Sequence, residues 1–282
     1  MIFHEISKYI YKWLSCQPNV KEESLTDWLL YQASMINSHV LYKTFTRNEE
    51  ANTGADWEWW ILTDDGFGLE AYRLLIQAKK LKKKQDNYQA ITYGNINGMQ
   101  IDLLLSSANK RKALPLYAYY SCSPPDIEKQ LKNFNFINES IIRWCENCIN
   151  GVYLSSALSI RKNVIEQPKR KITDEELINN SLGLSLLDLF FKKASEDNNL
   201  FIVLDNLNKQ YSNIFRTEQV PNHNYNMEFA YENYGFKYAY KDFPGYLKTI
   251  IEHQGKDVDW IESEYHYDLE DLSGIALIDT RV

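Results

Sequence analysis

Four polar side chains of this chain stand where apolar strands would bury them. Gln77 and Lys79 close the run Leu74-Leu75-Ile76, while Asp56 and Glu58 open the run Trp59-Trp60-Ile61-Leu62. A strand alternates its side chains with a period of two, so Gln77 and Lys79 share a face, and so do Asp56 and Glu58. Between the runs, Asp64-Asp65-Gly66-Phe67-Gly68 is a turn signal. It predicts a hairpin of strands near 56–63 and 71–79 that draws the four side chains together. Oxygen donors beside a lysine on otherwise buried strands suit a hard divalent cation and a phosphate. A carboxylate buried at Asp56 would be unfavourable unless a cation met it. The plain alternative is a turn aspartate following Gly54.

Asp56, Gln77, Ala78 and Lys79 together resemble the motif of the PD-(D/E)-x-K nuclease superfamily, in the branch where glutamine replaces the second acid, as in Mrr-like restriction endonucleases. The resemblance spans about residues 20–122. It implies an α/β, restriction endonuclease-like core of helix, three strands, helix and strand. It further implies a metal-dependent endonuclease that hydrolyses DNA phosphodiester bonds in restriction or anti-phage defence. Asp56, Gln77, Lys79 and Glu58 would be the catalytic set. Mg²⁺ or Mn²⁺ would be held by Asp56 and Gln77, with Glu22 or Glu23 reaching in from the first core helix. Gln77 offers a carbonyl oxygen but no charge, which leaves the number of ions open. Lys79 would stabilise charge developing on the scissile phosphate.

Lys80, Lys82, Lys83 and Lys84 follow directly on the motif and are candidates for contact with the DNA backbone; a solvated charged face explains them equally. Gln100 opens the next helix, where the superfamily often carries a glutamine near the site, and Asp102 reads as structural. A different class fits as well. A nuclease fold kept as a binding or assembly module, docking nucleic acid or protein with weak or partner-triggered activity, would show the same residues. DNA is the expected partner, with further copies of the chain or a defence-system protein beside it.

The elements that must position these residues are legible in part. Ile2, Ile6, Ile10, Tyr11, Trp13 and Leu14 predict an amphipathic helix over 1–15, and Leu25, Trp28 and Leu29 predict a second one begun by Glu22-Glu23. The first-turn position alone explains either glutamate. Val40–Phe45 predicts a strand, 98–108 a helix and Leu114–Tyr120 a closing strand. Beyond Pro124-Pro125 the reading is helices around 126–149, a Ser/Ala segment at 151–160, a basic linker at Pro168–Lys171, and a helix over 173–194 begun by Thr173-Asp174-Glu175-Glu176. The expected organisation is an N-terminal helix (1–19), a nuclease-like core (20–125) and a mainly helical, acidic and aromatic extension (126–282).

The net charge of −7 lies entirely in the second half: residues 1–160 hold 17 basic and 17 acidic side chains, residues 161–282 hold 14 and 21. The half with the motif is thus neutral, and local charge governs phosphate binding. The 20 Tyr, 12 Phe and 7 Trp fit a core, though aromatics also stack on bases. Four scattered cysteines imply a reducing compartment, and Cys145-Glu146-Asn147-Cys148 lacks the second half of a zinc site. No signal peptide or membrane-length apolar run is seen, so the expected location is cytoplasmic, without membrane. No G-x-x-x-x-G-K-[ST] loop occurs, which excludes a P-loop ATPase.

Overall fold

The structure, a computed structural model, describes residues 2–45, 53–64, 68–95, 98–134, 146–162, 171–189, 237–254, 261–269 and 272–281. Two amphipathic helices come first. In α1 (Ile2–Cys16), Phe3, Ile6, Ile10 and Leu14 form one buried stripe. Its leading N–H groups, which have no partner inside a helix, meet a carboxylate from far along the chain. Ile2 and Phe3 donate to Asp188 Oδ1 at 2.7 and 2.9 Å, and His4 donates to Oδ2 at 2.6 Å. In α2 (Glu22–Ile36), Leu25, Leu29 and Ala33 recur one turn apart and are buried.

The strands are β1 (Val40–Thr44), β2 (Trp57–Asp64), β3 (Leu69–Lys80), β4 (Gly94–Asn95), β5 (Gly98–Met99), β6 (Leu114–Tyr120), β7 (Val152–Ser156), β8 (Leu182–Gly183), β9 (Lys237–Ala239) and β10 (Gly274–Asp279). Between them lie α3 (Tyr88–Ile91), α4 (Gln100–Arg111) and α5 (Ile127–Phe134). Eight strands form one mixed sheet in the order β1-β10-β2-β3-β6-β7-β8, with β9 paired to β3; β4 and β5 make a separate ribbon. The chain is therefore α/β with a central mixed sheet.

The hairpin of β2 and β3 is antiparallel, with Trp57 opposite Ile76 and Glu58 opposite Leu75. Its turn residues 65–67 lie outside the described residues. β3 then runs parallel to β6, a pairing that needs a crossover, and α4 supplies it. Alternate side chains divide between the two faces. Trp57, Trp59, Leu74, Ile76, Leu116 and Ala118 pack with α1 and α2. On the other face, Leu75, Tyr117 and Tyr119 pack with Ile101, Leu104 and Leu105 of α4. Beside them, Trp60 and Leu62 pack with Tyr246, Leu247 and Ile250 of the helix Gly245–Glu252.

Several expectations need correction. The three core strands are not consecutive neighbours, because β10 lies between β1 and β2, parallel to β2. Its run Ile275-Ala276-Leu277-Ile278 is fully apolar and fills a position buried on both faces. The boundary expected at 125 does not separate two bodies, since β7, β8, β9 and β10 all belong to the same sheet. The helix expected over 173–194 is capped as foreseen, Thr173 Oγ1 accepting from Glu176 N at 3.2 Å, but it ends at Asn179. A strand and a 3₁₀ helix, Leu184–Leu189, follow it. Cys145, the linker residues 168–170 and positions 190–194 lie outside the described residues. Among the described residues, no helix is long and apolar enough to cross a membrane.

Candidate active site

Asp56 sits one residue before β2 and continues the hairpin, its N–H donating to Ile76 O at 2.8 Å. That places it across from Gln77. Gln77 Nε2 donates to Asp56 Oδ2 at 2.5 Å, and the Ala78 N–H donates to the same oxygen at 2.9 Å. The approach to Asp56 is shaped by Gly54, whose φ of +67° lies in the left-handed region. A Cβ there would stand 2.3 Å from Gln100 O and 2.5 Å from Leu104 N, so the glycine lets the first turn of α4 close over the loop.

Glu22 arrives from α2. Its Oε2 accepts from Lys80 N at 2.5 Å. Burial pushes the Glu22 carboxyl up from 4.5 to about 7. The charge of Lys79 and the Lys80 N–H oppose that rise, and the carboxylates of Asp56 and Glu23 add to it. The end of β3 thus gathers Glu22, Asp56, Gln77 and Lys79 from two helix and strand layers. An acid whose folded pKa lies above its unfolded value stabilises the fold at low pH and loses that contribution as pH rises through the folded value. At pH 8 the ionised Glu22 costs about 2–3 kcal/mol, at 1.36 kcal/mol per unit less an allowance for its partial exposure. Glu22→Gln is therefore expected to melt above the parent at pH 8 in chelator and to come level with it only below the unfolded value of 4.5. A variant less stable than the parent at pH 8 would contradict the burial argument.

The other expected residues divide. Glu58 shares the face of Asp56, as alternation requires, but it belongs to a separate cluster. Arg73 Nε and Nη2 donate to Glu58 Oε2 at 3.0 and 2.7 Å, Trp60 Nε1 donates to Oε1 at 2.6 Å, and Tyr246 OH donates to the same oxygen. Both oxygens are engaged, Oε2 in a buried ion pair with Arg73 and Oε1 by Trp60 and Tyr246, so the expectation of Glu58 as a catalytic group is replaced by a structural one. Glu23 is exposed, one step off the buried stripe of α2, so the choice between the two glutamates falls on Glu22. Lys80 Nζ donates to Pro18 O at 3.0 Å and Val20 O at 2.6 Å, anchoring the α1–α2 loop rather than facing outward. Lys82, Lys83 and Lys84 are exposed on a turn held by Asn87, whose Oδ1 accepts from Lys82 N at 2.8 Å. Gln100 lies on the inner face of α4, four residues before buried Leu104.

Two residues here were not foreseen. Tyr117 and Tyr119 lie beside Gln77 and Lys79 in the β3–β6 register, fully buried and stacked with centroids 5.5 Å apart. Alternation in Leu114–Tyr120 would have assigned both to one face, but nothing local says which face meets the motif.

A divalent cation finds a partial donor set here. Among the described residues no three His, Cys, Asp or Glu side chains converge as a metal-holding group. Glu22 and Asp56 bear on each other electrostatically, the Gln77 amide donates to Asp56, and Gln77 Oε1 is buried without a hydrogen-bond partner among the described residues. An orphaned carbonyl oxygen beside two acids, one of them raised by burial, is the environment a hard cation would relieve. With so few protein donors, an ion such as Mg²⁺ would keep several waters.

The chain belongs to the family described as "Family of unknown function (DUF6615)", whose model matches residues 1–271. No curated protein and no solved structure matches it.

Proposed function

We propose that this chain is a metal-dependent nuclease of the PD-(D/E)-x-K type, with a restriction endonuclease-like core, that hydrolyses phosphodiester bonds of DNA. The observation that carries the reading is that Gln77 meets Asp56 and Glu22 meets the end of β3, where Lys79 and Asp56 bear on it, with Gln77 Oε1 unpartnered among the described residues. An antiparallel β2–β3 pair followed by a parallel β3–β6 pair across α4 supports it. Asp56, the Gln77 carbonyl and Glu22 would hold Mg²⁺ or Mn²⁺. Bound there, the cation would polarise a phosphoryl oxygen and lower the pKa of a bound water. Lys79 would face the developing negative charge, and Asp56 is kept in place by the Ala78 N–H and the Gln77 amide. Lys82, Lys83 and Lys84 offer exposed positive charge next to the site for the DNA backbone. Defence against foreign DNA is the role the resemblance suggests.

The direct test is supercoiled plasmid incubated with purified protein and Mg²⁺ or Mn²⁺, against the same with chelator. Cation-dependent nicking or linearisation is expected, and its absence in the parent protein removes the activity from this chain acting alone. Gln77→Glu reports on the cation independently. It sets a carboxylate where an amide now donates to Asp56 at 2.5 Å, so it should melt below the parent in chelator and recover more than the parent when Mn²⁺ is added. Equal gains from Mn²⁺ in both proteins would place any cation elsewhere.

A further inference from the structure

Four buried side-chain oxygens near one end of the sheet have no hydrogen-bond partner among the described residues: Gln77 Oε1, Gln100 Oε1, Tyr117 OH and Tyr119 OH. Buried polar groups are nearly always paired, so four orphans in one neighbourhood need an occupant. Their closeness follows from the fold. Tyr117 and Tyr119 flank Gln77 and Lys79 in register. The first turn of α4, which carries Gln100 and Asp102, closes over Gly54 two residues before Asp56.

The chemistry of the orphans narrows the occupant. Amide carbonyls and phenol oxygens all accept hydrogen bonds. Asp102, in the same helical turn as Gln100, is paired with Arg161 Nε at 2.7 Å, and Asp56 accepts from the Gln77 amide. An anion would be repelled there, whereas polarised water O–H groups would find acceptors. We propose that Gln100, Tyr117 and Tyr119 are positioning residues that accept hydrogen bonds from the water ligands of a divalent cation held by Asp56 and Gln77. The assignment rests on the metal-dependent reading above. It gives Tyr117 and Gln100 a part in cation affinity without direct contact with the ion, as outer partners of a metal site commonly have.

The test uses the full chain and Mn²⁺ titrated by calorimetry, with melting curves in chelator. Tyr117→Phe keeps the ring and removes only an unpaired hydroxyl, so it should melt at or above the parent in chelator. It should bind Mn²⁺ about 10- to 100-fold more weakly, and Gln100→Met should follow it. Unchanged Mn²⁺ affinity in either variant overturns the assignment for that side chain while leaving the nuclease reading intact. A Tyr117→Phe protein melting well below the parent in chelator also overturns it, because the hydroxyl would then have a structural partner. A parent that binds no Mn²⁺, or an Asp56→Asn control that binds it equally well, overturns both this proposal and the cation reading beneath it.

Discussion

Glu58→Gln is expected to destabilise the protein by about 3–5 kcal/mol, the usual consequence of removing one partner of a buried ion pair. In a chain of this size that lowers the melting temperature by roughly 10 °C. The size of the effect comes from what is left behind. Burial alone would lower the Arg73 pKa; the Glu58 charge, joined by Tyr246, Tyr238 and the hydrogen bond to Glu58, more than reverses this, so the guanidinium is held charged inside the protein. Arg73 also donates to Arg111 O at 2.7 Å and to Tyr246 OH at 3.0 Å, and it lies 5.1 Å over the Trp60 ring. Without the Glu58 charge, that cation keeps its dipoles but loses its counter-ion. Glu58→Gln combined with Arg73→Met should recover part of the loss, since the second change removes the stranded charge. Chemical denaturation of the three proteins checks the order. A single variant within about 0.5 kcal/mol of the parent, the range of a surface change, would show that the cluster does not lock the fold.

Glu58 also marks where sequence reading reaches its limit. Alternation placed it correctly on the face of Asp56, and a strand acid between Trp57 and Trp59 looks like a ligand when only local spacing is visible. Its true partners are Arg73, across the hairpin, and Tyr246, nearly two hundred residues away. The same limit applies to Lys80, whose ammonium is claimed by two carbonyls of the α1–α2 loop. Asp56, Gln77 and Lys79 were legible because a period of two and one short turn determine their meeting, and both are local. Helix position alone left Glu22 and Glu23 side by side as candidates, and burial in the folded chain chose Glu22. The position of β10 was not legible. Ile275–Ile278 is apolar enough to read as a buried strand, but its seat between β1 and β2 depends on pairings made across more than two hundred residues. Tyr117 and Tyr119 fall between these cases, since their shared face was readable while its neighbour, the site, was not.

Lys79→Ala is expected to lower cleavage by about 10²–10³-fold, the scale on which a positioned charge contributes to a transition state. Thermal stability should change little. Lys79 is half-buried near the end of β3, where its backbone pairs with Tyr119. Its charge does act on Glu22, holding that carboxyl below the value burial alone would give. Removing the lysine should therefore let Glu22 keep its proton to higher pH, and the variant should need a more alkaline solution to bind Mn²⁺ as well as the parent does. This second effect separates a site lysine from a merely structural one. A lysine that only snorkels along the sheet edge would leave both cleavage and the pH dependence of Mn²⁺ binding untouched. Single-turnover cleavage of plasmid at pH 7 and 9, with Mn²⁺ titrations at the same two values, decides it. Full activity in Lys79→Ala would take the reaction away from this end of β3.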